Sequence, residues 1–293
     1  MKTIFPIACA CLCLAQDSQI QFKVTKLTEG IHMLEGIGGF TGGNLGLLSG
    51  DDGLVLIDDS MANYSSLMLD ALAKINPQPI DFVINTHVHG DHIGGNEVLA
   101  KSGTTVVAHQ HIRDRMLKEG IQGADGMVPA PKDVLPELTF SDSVTFHLNG
   151  HDAFVFHVAK AHTDGDAVIH FVDANIIHAG DLFFNGMFPF IDLDSGGTVA
   201  GYIAGQERIL SLCNEETRII PGHGALATRA DLERDLSVLK TIDQRIKNLA
   251  QAGKTEAEIL AANPLEDYHD QYNWVFITTE RMVKTLTRTY LGP

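Results

Sequence analysis

Three imidazoles and a carboxylate fall within six positions of one another in the run Asn85-Thr86-His87-Val88-His89-Gly90-Asp91-His92. Core packing has no use for such a cluster, whereas a metal ion does. Neutral imidazole and carboxylate are the donors that zinc, and also iron, cobalt or manganese, take from proteins, and the lack of a local thiolate argues against an iron–sulfur centre. The apolar stretch Phe82-Val83-Ile84 reads as a buried strand, so the cluster begins where a strand gives way to a loop. Gly90 lets the backbone bend between donors, and Gly94-Gly95 closes the loop before a short helix around Asn96 to Ala100. A closed structural zinc takes four ligands. This run already offers four, yet His162, Asp181 and His223 follow in glycine-flanked settings, each read as lying at a strand end.

These residues, in this order, resemble the metallo-β-lactamase superfamily of binuclear metallohydrolases, over about residues 22 to 230. The resemblance rests on the H-x-H-x-D-H run, on His162 and Asp181, on Gly222-His223-Gly224, and on the Leu56-Ile57-Asp58 strand end. It implies an α/β fold, a four-layer αββα sandwich, here with a C-terminal helical extension. It further implies that His87, His89 and His162 hold one metal, that Asp91, His92 and His223 hold the second, and that Asp181 bridges them. The expected cofactor is two zinc ions, with iron, manganese or cobalt as substitutes. Asp58 is expected to ligate nothing and instead to accept a ring N–H from a ligand histidine; the plainer reading of Asp58 is a turn cap.

Two metals with open positions lower the pKa of bound water towards neutrality, and the resulting hydroxide attacks a polarised acyl carbonyl. Asp91 is the general-base candidate. No G-x-S-x-G setting suggests a serine nucleophile. The overall resemblance, the glycine-rich segment Gly36 to Asn44 and an expected secretion favour the amide of a β-lactam as the bond that is cut. Two departures from the family pattern point elsewhere. Cysteine-bearing β-lactamases have their cysteine where this chain has Asp181, and three residues on, where they carry a lysine for the drug carboxylate, stands Phe184. A lactone, thioester or other small ester is therefore the main alternative. A di-iron redox enzyme would resemble flavodiiron proteins, which use a carboxylate where this chain has His89. A catalytically silent metal-binding protein is a further reading, against which all seven ligand positions are filled.

The elements that must position these residues are partly legible. At 293 residues and 44% hydrophobic, the chain is long enough for a large core. Its net charge of −16 speaks against a nucleic-acid partner, leaving a small-molecule substrate. Residues 1–15 read as a cleaved secretory signal, with Lys2, an apolar run from Ile4 and Cys13-Leu14-Ala15 before Gln16, which implies a periplasmic or secreted protein. Cleavage leaves Cys213 as the one cysteine, and no stretch is long enough to form an integral membrane segment. The hydrolase domain is assigned to residues 20–228. Within it, strands are expected from Phe22 to Ile57 with turns at Gly30, Gly36 and Gly53, then a helix from Met61 to Ile75 capped by Ser60, and another over His111 to Glu119. Residues 229–293 read as a helical tail packed on the domain: a long helix closed by Gly253, a second opened by the capping box of Thr255 and Glu258, and a third over Thr279 to Leu291. Phe40, at the tip of a pliable flap, and Phe184, beside Asp181, are candidate pocket residues. His109, His111, His147, His151, His157, His170 and His178 lack ligand-like spacing.

Overall fold

The computed structural model describes residues 19–123 and 126–292, so the expected signal at 1–15 lies outside the described residues. In chain order the strands are β1 (Gln21–Thr28), β2 (Ile31–Ile37), β3 (Leu45–Gly50), β4 (Gly53–Ile57), β5 (Phe82–Asn85), β6 (Thr105–His109), β7 (Ile121–Gly123), β8 (Gly126–Val128), β9 (Leu138–Phe140), β10 (Ser143–Leu148), β11 (His151–His157), β12 (Ala167–Phe171), β13 (Ile176–Phe184), β14 (Arg218–His223) and β15 (Ala227–Thr228). The helices are α1 (Ser65–Ala73), α2 (Gly90–Ile93), α3 (Asn96–Lys101), α4 (Gln110–Glu119), α5 (Val199–Leu212), α6 (Arg229–Gln251), α7 (Glu256–Ala261), α8 (His269–Tyr272) and α9 (Thr279–Leu291).

Two sheets carry the fold. One runs β1-β2-β3-β4-β5-β6-β9, antiparallel as far as β4 and parallel from there, and the other runs β10-β11-β12-β13-β14-β15. Strand alternation decides the layers, because successive side chains point to opposite faces. In β4, Val55 and Ile57 pack against Val155, Ile169 and Ile220 of the facing sheet, while Leu54 and Leu56 turn outward onto Met68 and Leu72 of α1. The second sheet does the same, with Ile177 and Ile219 packing outward against Ile209 of α5. These apolar runs are covered on both sides, which gives the expected helix–sheet–sheet–helix sandwich.

The helical tail follows its caps. Thr228 and Asp231 form a capping box at the start of α6, Thr255 and Glu258 form another at α7, and Thr278 caps α9. Leu239, Ile242 and Ile246 of α6 and Met282, Val283 and Leu286 of α9 share a buried cluster with Phe188 and Tyr272. No helix among the described residues is long and apolar enough to cross a membrane.

The first helix departs from expectation. It begins at Ser65, after a single 3-10 turn over Ala62–Tyr64, and Ser60 caps nothing. Ser60 sits at φ +67° and its hydroxyl donates instead to the carbonyl of Thr41 in the flap. Gly36 likewise lies within β2 and not at a turn.

Candidate metal centre

The donors reach one place from five parts of the chain. His87 follows β5, and His89 precedes the single turn α2, which carries Asp91 and His92 where an irregular loop was expected. His162 lies between β11 and β12, and His223 is the last residue of β14. Asp181 differs from expectation: it lies inside β13, whose nine residues are all buried, and not at the strand's end. The pairing of β13 with β14 shifts between His178 and Gly180 and again before Phe184, an irregularity of the kind that re-aims a side chain next to a site. Two glycines are required by close approach. A Cβ on Gly222 would overlap Asp181 Oδ1, and one on Gly43 would overlap the His92 ring. Gly43 therefore serves the candidate metal-binding residues by its lack of a side chain, whatever the flap's pliability.

The seven residues form two groups. His87, His89, His162 and Asp181 bring donor atoms within 4.8 Å of one another, and Asp91, His92 and His223 do the same. Asp181 faces both. Its Oδ2 lies 3.6 Å from His87 Nε2 and 3.5 Å from His162 Nε2, and its Oδ1 lies 3.2 Å from His92 Nε2 and 3.4 Å from His223 Nε2. Asp91 Oδ2 is 3.4 Å from His223 Nε2.

Hydrogen bonds outside the cluster fix which ring nitrogens are bare. The Phe190 carbonyl can only accept, so His162 Nδ1, 2.7 Å away, carries the proton and Nε2 does not. Asp192 Oδ2 accepts from His89 Nε2 at 3.0 Å, which leaves His89 Nδ1 bare. These two bare nitrogens face each other at 2.9 Å. Lone pair against lone pair at that distance is repulsive unless a proton or a metal ion is shared between the two nitrogens. Asp58 does the same for His92: its Oδ2 accepts from Nδ1 at 2.7 Å, and Nε2 then points at Asp181. His87 is set through a relay, because the Thr86 hydroxyl donates to Asp58 Oδ2 at 2.8 Å and can accept from His87 Nδ1 at 3.0 Å. His87 Nε2, His92 Nε2 and Asp181 Oδ1 are buried with no hydrogen-bond partner. Without a metal, His92 Nε2 and Asp181 Oδ1, 3.2 Å apart, have only a shared proton to satisfy them and His87 Nε2 has nothing, whereas divalent cations would satisfy all three. The residues present therefore fit two metal ions. Their donor set of imidazole and carboxylate suits zinc.

The electrostatics separate the groups. Burial pushes His87 well below the usual imidazole range and His162 down to about 4, so both rings are neutral, the form in which a metal would take them. Burial acts the same way on His92 and His223, but Asp181 and the neighbouring carboxylates outweigh it, holding His92 well above its usual value and His223 at about 9. Asp91 goes the other way: burial raises it, yet His92 and His223 bring it to about 2. Protons on His92 and His223 neutralise the carboxylates in the absence of metal, and a metal must displace them.

Aromatic rings wall the centre. Phe40 is 54% exposed and stacks on His223 with centroids 5.8 Å apart, and Phe190 stacks on His89 at 5.4 Å. Phe184 is not on a rim. It is only 3% exposed, wedged 5.0 Å from His223 and 6.0 Å from Trp274. Reading the sequence alone missed Asp192, the Phe190 carbonyl and the tail residues Trp274 and Phe276. Trp274 lies 6.3 Å from His223, and Phe276 packs 5.2 Å from Phe190. Nothing in their spacing marks them, since the tail returns to the site from some fifty residues beyond the last ligand. His109, His111 and His157 form a separate group. The rings of His109 and His157 are stacked at 3.7 Å and 9°, so no ion can lie in the plane of both, and backbone carbonyls occupy a nitrogen on each.

The family profile described as the metallo-beta-lactamase superfamily matches residues 38–236. The chain belongs to this superfamily. A hydroxyacylglutathione hydrolase of Pelagibacter ubique is 26% identical over 197 residues, spanning 63% of this chain and 72% of that protein. A type 2 metallo-beta-lactamase of Bacteroides fragilis is 21% identical over 245 residues, 76% of this chain and 90% of that protein. Among solved structures, the stereoselective inverting sec-alkylsulfatase of a Pseudomonas species shares the fold at a TM-score of 0.72 and 18% identity. That match covers 92% of this chain, which spans half the length of that protein. Family and cluster together make this chain a metallohydrolase.

Proposed function

We propose that this protein is a two-metal hydrolase of carboxylic acyl bonds, with an ester, thioester or lactone carrying an apolar group as its substrate. The observation that carries the reading is the Asp181 carboxylate, with one oxygen turned to each donor group. Two divalent ions held there would supply Lewis acidity and a water that ionises near neutral pH. The chain's own residues do the rest. Asp192, the Phe190 carbonyl, Asp58 and Thr86 orient the imidazoles, and Phe40, Phe190 and Phe276 offer an apolar wall that limits water. Asp91, whose side chain is 23% exposed against 4% for Asp181, is the carboxylate that solvent and substrate reach, and it is the proposed base.

The amide of a β-lactam is the second reading. It is supported by the similarity to the Bacteroides β-lactamase over nine-tenths of that protein's length and by the exposed Phe40 at the mouth. It ranks second because Phe184 fills the place of the expected cationic anchor with a buried ring. Export to the periplasm or beyond is likewise proposed, on the apolar run from Ile4 to Ala15, and N-terminal sequencing of the mature protein tests it. For the reaction, the zinc-loaded protein is assayed side by side on p-nitrophenyl esters, an acyl thioester, an acyl lactone and a chromogenic β-lactam. The reading expects the largest kcat/KM on an ester, thioester or lactone with an apolar acyl chain. Preference for the β-lactam would move the second reading to first place, and no turnover of any of the four would overturn the hydrolase proposal.

A further inference from the structure

The helical tail brings one cation to the rim of the metal centre. Arg281, on the first turn of α9, lies with its guanidinium 4.1 Å from the centre of the Phe276 ring and 5.0 Å from that of Phe190, the ring that stacks on His89. One N–H donates to the Phe276 carbonyl at 2.9 Å, which fixes the side chain against the loop. The loop is itself pinned: Trp274 Nε1 donates to the Phe188 carbonyl at 2.8 Å, and Ile277 is buried. What Arg281 lacks, among the described residues, is a carboxylate. Arg115, Arg234, Arg245 and Arg288, the last two turns further along the same helix, pair with Asp164, Asp235, Asp267 and Asp194, whereas Arg113, Arg208 and Arg218 also lack a carboxylate among the described residues and donate to the carbonyls of Pro136, His157 and Leu27, so it is the place beside Phe190 that sets Arg281 apart. A guanidinium held against two aromatic rings that meet edge to face, with most of its donors unclaimed, is preorganised for a planar oxyanion.

We infer that Arg281 is the substrate anchor, and that the substrate carries a carboxylate at the far end of an apolar chain whose acyl bond lies at the metals. This rests on the hydrolase reading and names its substrate class. The spacing sets the geometry: from guanidinium to Phe190 is 5.0 Å and from Phe190 to His89 is 5.4 Å, a span crossed by a short methylene chain lying along the ring. The residue lies beyond 38–236, the part of the chain that matches the superfamily, so this anchor belongs to the tail.

The test compares two esters with the zinc-loaded protein: the mono-p-nitrophenyl ester of octanedioic acid, which ends in a carboxylate, and p-nitrophenyl octanoate, which does not. Arg281→Gln is expected to raise KM for the diacid ester about ten- to a hundredfold, the scale of one charge-assisted hydrogen bond, and to leave KM for the octanoate ester within about twofold. Arg281→Lys should recover part of the loss. A merely structural role for Arg281 would move both esters together, and that result, or an unmoved KM for the diacid ester, would overturn the inference. A second readout does not need turnover. Trp274 is the only tryptophan, so octanedioate binding can be followed by its fluorescence. Should neither ester be cleaved, the hydrolase reading fails by itself. The anchor still stands if octanedioate quenches the wild type and not Arg281→Gln, and it falls if the two bind alike.

Discussion

Replacing Asp58 by asparagine should weaken metal binding without touching any of the seven candidate metal-binding residues. The Asp58 side chain is fully buried and accepts three hydrogen bonds, from Thr86 N at 2.7 Å, from the Thr86 hydroxyl at 2.8 Å and from His92 Nδ1 at 2.7 Å. Asparagine keeps the shape and one acceptor oxygen, enough for Thr86 N, but it turns an NH2 donor toward His92 and the hydroxyl. His92 then holds its proton at Nε2, where Asp181 Oδ1 at 3.2 Å accepts it in place of a cation. A hydrogen bond to a charged group is worth about 1.5–3 kcal/mol, so the ion held by Asp91, His92 and His223 should bind about ten- to a hundredfold more weakly. The other ion should weaken less, through the loosened Thr86 hydroxyl beside His87. Zinc titration against a chromophoric chelator measures both affinities, and Trp274 fluorescence reports the occupancy near His223. If the folded variant binds both ions within about twofold of wild type, Asp58 does not set the tautomer and the orientation argument is wrong.

The other predictions follow from the same geometry. Asp91→Asn should lower kcat by about a hundredfold or more with the circular dichroism spectrum unchanged, the scale of general acid–base catalysis; equal rates at full metal loading would remove Asp91 from the mechanism. Phe184→Lys should cost about 3–5 kcal/mol in a denaturant titration, because it removes a buried ring and leaves an ammonium behind His223, and it should not improve β-lactam binding. A variant as stable as wild type would show that residue 184 faces solvent after all. Because His223 is held at about 9, its ring is protonated at neutral pH without metal, and a metal must displace that proton. Affinity for the Asp91–His92–His223 group should therefore rise with pH towards about 9, by about tenfold per unit for each proton displaced, and competitive titrations that show a flat profile would contradict this.

What the sequence showed of the site follows from where its parts lie. His87, His89, Asp91 and His92 stand out because a strand end, one loop and one helical turn carry four donors in succession, and His162 and His223 because each lies near a glycine at or beyond a strand end. Asp58 was legible as a hydrogen-bond acceptor from the family resemblance. Asp192, the Phe190 carbonyl, Trp274, Phe276 and Arg281 were not, since each acts through contacts made only once the tail and the segment after β13 fold back over the sheets. Local rules failed where the site overrode them. Ser60 has the composition of a helix cap, but Asp58 and Ser60 both adopt positive φ, and Ser60 is drawn to the flap carbonyl of Thr41. Phe184 was misplaced for a related reason: it follows Asp181 closely, and β13 continues through both, so a residue near a metal-binding carboxylate became a buried strand residue. The sandwich was expected from the family resemblance and not from strand alternation, and of the tail's caps only the Thr255–Glu258 box was legible, because its two partners lie three residues apart.

The central claim is that seven side chains hold two ions bridged by Asp181, and counting metal per chain tests it most directly. Dialysed protein is titrated with zinc, and bound metal is measured by inductively coupled plasma mass spectrometry alongside protein concentration from amino-acid analysis. The account predicts two zinc ions per chain at saturation, falling to one or none in Asp181→Ala with the fold retained. One ion per chain in the wild type, or two in both proteins, would contradict it.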